Sequence, residues 1–183
     1  MKLYIMRHGT ADDAAASGRD VDRALTHGGR DRVRSVAKAL LDAHEEPLSI
    51  ITSPLVRAVE TAEIVAVATN LAERGGTVEV ARALAPSGGR TKLVEELVGA
   101  GRKRVMLVGH EPDLSDLVAA LIKTPMPVSM DKAMVVGLHI PTPRSAAATD
   151  AGKLRFIFDP KTLTWRFDAR SSAELSAKPG KSP

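Results

Sequence analysis

Residues 2–10 read KLYIMRHGT, and they decide the fold. A short, apolar, β-prone run from Lys2 to Met6 stops abruptly at Arg7-His8-Gly9, which places two polar, chemically capable side chains at the carboxyl end of a buried strand. The pattern recurs at residues 104–113, RVMLVGHEPD. There a strand from Arg104 to Val108, apolar through its centre, runs into Gly109-His110-Glu111-Pro112.

Between these two strands the chain alternates helical and extended patterns. Thr26 offers an N-cap to a helix whose Val33, Val36, Ala37, Leu40 and Leu41 share one face and which closes near His44, before Pro47. Leu48 to Thr52 reads as a buried strand. Ser53-Pro54 then predicts a helix with serine as N-cap and proline at its first position, so that Arg57 lies in the first turn. That helix is expected to run through Ile64, Val65 and Ala68 towards Leu71, with Gly75-Gly76 stopping it. Thr77 to Ala81 reads as a short strand and Thr91 to Val98 as a helix ended by Gly99. Leu114, Leu117, Val118, Leu121 and Ile122 form another helical face. Residues 133–140, 153–158 and 163–167 read as closing strands, with Asp159-Pro160-Lys161 as a hairpin turn.

Strands alternating with helices predict an α/β fold, a three-layer α/β/α sandwich with a mostly parallel central sheet. Ligands in such sheets bind outside the carboxyl ends of the strands, where His8, His110 and the turn from Ser53 to Arg57 all fall. At 183 residues the chain is long enough for one core without metal or disulfide staples, and residues 1–168 are expected to form a single domain. Residues 169–183, rich in Ser, Ala, Lys, Pro and Gly without periodicity, read as a disordered tail.

Composition narrows the chemistry. The absence of cysteine removes disulfides, thiolate metal sites and cysteine nucleophiles together. The 3% aromatic content leaves the core to Ala, Val, Leu and Ile, which suits a parallel sheet under small-residue helices. Net charge is +4, but the tail carries Arg170, Lys178 and Lys181 against Glu174, leaving +2 elsewhere. So small an excess, without basic runs interleaved with aromatics, does not point to nucleic acid. No apolar run reaches the length of a signal peptide or membrane span, so the protein reads as cytoplasmic, with no membrane partner. P-loop and dinucleotide-binding glycine signatures are missing as well.

A histidine can attack phosphorus when its ring is neutral and in line, provided cations neutralise the phosphoryl oxygens. Arginine does this best, through its fork of donors. His8 with Arg7 beside it, Arg57 at a helix start and His110 at a second strand end supply two histidines and two arginines able to converge. Arg57 also gains from the free N–H groups of its helix's first turn. Gly9 and Gly109 would allow tight turns or close backbone approach.

Three segments, LYIMRHG (3–9), SPLVRAVETA (53–62) and VGHEP (108–112), together resemble the histidine phosphatase superfamily, also called the phosphoglycerate mutase-like family, over roughly residues 1–125. The Arg23-Ala24-Leu25-Thr26 element and Leu84-Ala85-Pro86 look like the SixA-type phosphohistidine phosphatases. The resemblance implies His8 as nucleophile, with Arg7, Arg57 and His110 as phosphate pocket and His110 also stabilising transition-state charge. It implies Gly9 and Thr10 on the substrate side, no metal or organic cofactor, a phosphorylated protein or small phosphate compound as partner, and a monomer. Arg23 has two readings, at the pocket mouth or as a helix-entry surface residue.

The chain departs from the family at one point. Many relatives that cleave alkyl phosphates carry a glutamate as Leu-x-Glu after the third strand, where this sequence has Leu84-Ala85-Pro86. Losing a positioned general acid costs about 10²–10⁴-fold on a poor leaving group. Phosphohistidine, or a phosphoanhydride such as polyphosphate, is therefore the expected substrate class. Asp12, Asp13 and Glu111 could supply a proton, although loop acids beside turns are more often solvated or capping. The alternatives are a phosphomonoesterase or phosphotransferase acting on a small metabolite, and a module that binds phosphate without turnover. A divalent metal held by His8 and His110 would be repelled by the two arginines. His27, His44 and His139 have surface or structural readings, and Asp113 and Asp116 suit a helix start.

Overall fold

In this computed structural model, which describes residues 1–126, 129–142 and 151–167, seven strands form one mixed sheet in the order β3-β2-β4-β1-β5-β6-β7. The strands are β1 (Lys2–Arg7), β2 (Ser49–Thr52), β3 (Thr77–Val80), β4 (Arg104–Gly109), β5 (Val135–His139), β6 (Lys153–Asp159) and β7 (Thr164–Phe167). The helices are α1 (His27–Asp42), α2 (Val56–Ala68), α3 (Arg90–Gly99) and α4 (Asp113–Ile122). Strands β3, β2, β4 and β1 are parallel, and β5, β6 and β7 extend the sheet antiparallel from β1. The tail 169–183 and residues 143–150 lie outside the described residues.

Strand pleating divides the core into two layers. Leu3 and Ile5 of β1 and Val105 and Leu107 of β4 face one side, where they meet Val94 and Leu97 of α3 and Leu114, Leu117 and Val118 of α4. Tyr4, Met6, Met106 and Val108 face the other, against Val33, Val36, Ala37 and Leu40 of α1 and Ala58, Ala62 and Val65 of α2. Both strands read as continuous apolar runs because both faces are covered. Met130 and Met134, ahead of β5, are buried and belong to the core too.

Thr26 caps α1 as its sequence suggests, its hydroxyl accepting from the Gly29 N–H at 2.9 Å. Helix α2 departs from expectation at both ends. It begins at Val56 behind Leu55, and Ser53 does not cap it. It stops at Ala68, and a separate 3₁₀ turn at Ala72–Arg74 leads into Gly75 in the left-handed region. Arg57 nonetheless sits in its first turn. The β6–β7 turn is held by the Asp159 carboxylate, which accepts from the Lys161 N–H at 2.8 Å. Among the described residues no helix is long and apolar enough to cross a membrane.

One ionic cluster ties the end of α1 to both halves of the sheet. Glu45 accepts from Tyr4 Oη at 2.8 Å, from Arg155 at 2.6 and 2.9 Å and from Lys2 at 3.1 Å. Burial opposes its charge, but Arg155, Tyr4 and Lys2 outweigh that cost and hold the carboxyl down to about 2. A depressed folded pKa means stability that is present above the unfolded value and lost as pH falls from about 4.5 towards 2. At neutral pH it amounts to on the order of 2–3 kcal/mol. Glu45→Gln should therefore lower the urea midpoint at pH 7, with the gap to wild type closing towards pH 2.5. A gap of constant size across that range would contradict the ionic assignment.

Candidate active site

The carboxyl ends of β2, β4 and β1 lie side by side, with Thr52 paired to Val108 and Arg7 to Gly109. The backbone continues that alignment one residue further: the His8 N–H donates to Gly109 O at 3.1 Å and the Ser53 N–H to Val108 O at 3.0 Å. His8, Ser53 and His110 are thereby brought to one place from three strands, and all three are buried. The rings of His8 and His110 are 5.0 Å apart, tilted by 52°.

Both imidazoles are neutral near pH 7. Burial is the main cause for His8, with added repulsion from His110, Arg57 and Arg7, and it is pushed down to about 3 despite its bond to Gly9 O. Burial and then Arg57 push His110 down to about 4, against the pull of Asp113 and Asp20. The His8 Nδ1–H donates to Gly9 O at 2.7 Å, which leaves the lone pair on Nε2. His110 Nε2 lies 2.8 Å from Ser53 Oγ, which also accepts from the Leu55 N–H at 3.3 Å. If the serine donates its hydroxyl proton to Nε2, the His110 proton is on Nδ1, a buried atom with no partner among the described residues.

Cations surround the two rings. Arg7 donates from Nη1 to Met130 O at 2.7 Å, and its own carbonyl and that of His8 accept from the Ala133 N–H at 3.1 Å. Arg57, 7% exposed, donates from Nη1 to Asp20 O at 2.8 Å and from Nη2 to Asp20 Oδ2 at 3.0 Å. Arg23 Nη1 reaches the other oxygen of the same carboxylate at 3.1 Å. Among the described residues, the Nε atoms of Arg7, Arg23 and Arg57 are buried without a partner, as is His110 Nδ1. Such orphaned polar atoms are costly unless a partner satisfies them, and those of Arg7, Arg57 and His110 about two neutral imidazoles suit a small polyvalent anion.

Of the residues singled out in the sequence, His8, His110, Arg7 and Arg57 converge here, and Arg23 joins them through Asp20. Gly9 packs under the site. A Cβ there would meet Val33 Cγ2 at 2.8 Å, and its N–H donates to Thr61 Oγ1 at 3.1 Å, which in turn donates to Arg57 O at 2.7 Å. The backbone of Thr10 is bound to the start of α1, its carbonyl accepting from the Thr26 N–H at 2.9 Å. Glu111 is held to the first turn of α4, accepting from Ser115 N and Oγ at 3.1 and 2.6 Å. Asp12 and Asp13 are exposed, and His27 pairs with Asp31 at the surface.

Sequence reasoning missed two residues. Ser53 is a partner of His110 rather than a helix cap, and Asp20, within a polar loop, comes to rest on Arg57. Asp113 was readable only as a helix-start acid, whereas it pairs with Arg90 and accepts from the Ser87 N–H at 3.0 Å.

Residues 3–83 match the model of the histidine phosphatase superfamily (branch 1). The chain is 38% identical over 167 residues to an uncharacterized protein of Picosynechococcus sp., covering 89% of this chain and 99% of that one. It is 34% identical over 121 residues to the phosphohistidine phosphatase SixA of Escherichia coli, covering 66% and 74% of the two chains. Among solved structures, the protein histidine phosphatase SixA complexed with tungstate superposes with a TM-score of 0.77 at 28% identity, over 90% of this chain and all of that one. A mycobacterial glucosyl-3-phosphoglycerate phosphatase complexed with VO3 shares the fold, with a TM-score of 0.59 at 22% identity, over 92% and 97% of the chains.

Proposed function

Since this chain belongs to the histidine phosphatase superfamily and is a phosphatase, we propose that it works through a transient phosphohistidine on His8 and prefers phosphohistidine, or another phosphate with a good leaving group. The observation that carries this reading is the pair of neutral histidines beside buried side-chain nitrogens of Arg7, Arg57 and His110 that have no partner among the described residues. In the first step the Nε2 lone pair of His8 attacks phosphorus. An N–P bond forms while the bond to the leaving group breaks, and that bond's electron pair departs with the leaving group. In the second step water attacks phosphorus, the N–P bond breaks with its electrons returning to His8 Nε2, and water's proton passes to solvent as phosphate is released. Arg7, Arg57 and the His110 Nδ1–H balance the oxygens throughout, and Arg23 completes the rim.

The substrate preference rests on what surrounds the leaving group. The loop after β3, Leu84-Ala85-Pro86, passes beside Gly109 without offering an acid, and Glu111 is occupied with Ser115. An imidazole or phosphate leaving group needs little protonation, whereas an alkoxide needs much. The name of the E. coli relative, a phosphohistidine phosphatase, favours the same class. In this reading the protein is a cytoplasmic monomer that needs no metal. Among the described residues no group of three or more His, Asp or Glu is placed to hold one.

With chelator present, single-turnover phosphate release from a phosphohistidine peptide and from tripolyphosphate should exceed release from an alkyl monoester by about 10²–10⁴-fold. Equal rates on the alkyl ester would overturn the substrate class. Activity lost in chelator and restored by zinc would overturn the metal-free mechanism.

A further inference from the structure

Asp20 sits on two arginines of the pocket, Arg57 and Arg23. Its Oδ2 takes Arg57 Nη2 and its Oδ1 takes Arg23 Nη1, so one carboxylate bridges two guanidinium groups in the manner of a phosphoryl group. The Nε and Nη2 atoms of an arginine share one edge of the guanidinium plane. In Arg57 the Nε of that edge is orphaned and the Nη2 is held by Asp20, while the other nitrogen, Nη1, goes to the Asp20 backbone carbonyl. Freeing the edge for a bidentate anion requires rotation of one side chain only. That side chain is 61% exposed, and the 3₁₀ turn bearing it, Asp20–Asp22, buries no residue.

Resting on the reading of Arg57 as phosphoryl ligand, we propose that Asp20 is a specificity-determining residue, an internal anion that competes with the substrate phosphoryl group for Arg57 and Arg23. Displaced from that edge, it stays at the pocket mouth and disfavours leaving groups that carry negative charge. Its carbonyl, kept on Arg57 Nη1, anchors the residue, so the displaced carboxylate cannot go far. Coulomb repulsion across a few ångströms at an exposed position is modest, and it acts on every anion that enters. A nitrogen leaving group, neutral or cationic, meets no repulsion there, whereas the remainder of a polyphosphate chain does. Asp20 thereby separates two substrate classes that the missing general acid leaves equivalent.

The test uses the full chain and inorganic phosphate. Calorimetric binding of phosphate to Asp20→Asn and Asp20→Ala should be roughly two- to fivefold tighter than to wild type, while Asp22→Asn, whose carboxylate faces Ser17 and Arg19, should match wild type. The ratio of kcat/KM for tripolyphosphate to that for a phosphohistidine peptide should rise by a similar factor in both Asp20 variants. Phosphate binding within twofold of wild type, weaker binding, or an unchanged substrate ratio would each overturn the proposal. Arg57→Ala separates this failure from that of the underlying reading. If Arg57→Ala binds phosphate as wild type does, Arg57 is not the phosphoryl ligand; if it loses phosphate while the Asp20 variants stay unchanged, the role of Asp20 alone falls.

Discussion

His8→Ala is expected to lose phosphate release by about 10⁴-fold or more on every substrate, because the ring assigned to the attack is gone and the groups left in the pocket are committed elsewhere. Arginine has no lone pair to offer, and the Nε2 of His110 is engaged with Ser53. Binding of an oxoanion such as tungstate should survive within a few-fold, since Arg7, Arg57 and His110 remain. Removing the ring strands no charge, because His8 is neutral in the folded protein. Its effect on stability has a defined sign. A histidine whose folded pKa lies far below its unfolded value makes the fold weaker as pH falls below about 6.5. His8→Ala should thus lose less stability than wild type between pH 6.5 and 4. Single-turnover release, tungstate calorimetry and thermal melts at two pH values read all three outcomes. Activity within tenfold of wild type would remove His8 from the chemistry.

Arg57→Ala should lower kcat/KM by about 10³-fold, the scale of losing one preorganised charged donor from a developing phosphoryl charge. Arg57→Lys should recover part of this, since a point charge cannot reproduce the fork. The fold should barely respond. The Arg57–Asp20 pair has one exposed partner, and such pairs contribute at most about 1 kcal/mol. Arg57 also pushes both histidines down, so His8 and His110 should titrate at higher pH in the alanine variant, which histidine NMR resonances can follow. A variant that stays active but melts much earlier would recast Arg57 as a structural residue.

The parts of this site that were legible in the sequence share a physical cause. A strand buried on both faces is an unbroken apolar run, so its end is marked wherever a polar residue interrupts it, and Arg7-His8 and Gly109-His110 are such interruptions. Arg57 was legible through the helix start before it, although Ser53-Pro54 misplaced that start by two residues. What could not be read is set by pairings distant in sequence. That β4 lies between β1 and β2 brings Ser53 under His110, and no local pattern encodes that order. A serine followed by proline has the same local signature whether it caps a helix or holds a histidine. Asp20 is less legible still, because a loop acid carries no periodicity and its partner is 37 residues away. The strand order within the sheet and the contact of Asp20 with Arg57 are therefore findings of the structure, whereas the histidine pair was already visible in the chain.

The most direct test of the central claim is a rapid-quench single turnover with a labelled phosphohistidine peptide, stopped in base and mapped by mass spectrometry. A phosphoryl group transiently on His8, stable in base and lost in acid, is the predicted result. A phosphoryl group on another residue, or complete turnover with no covalent species at any time, would contradict it.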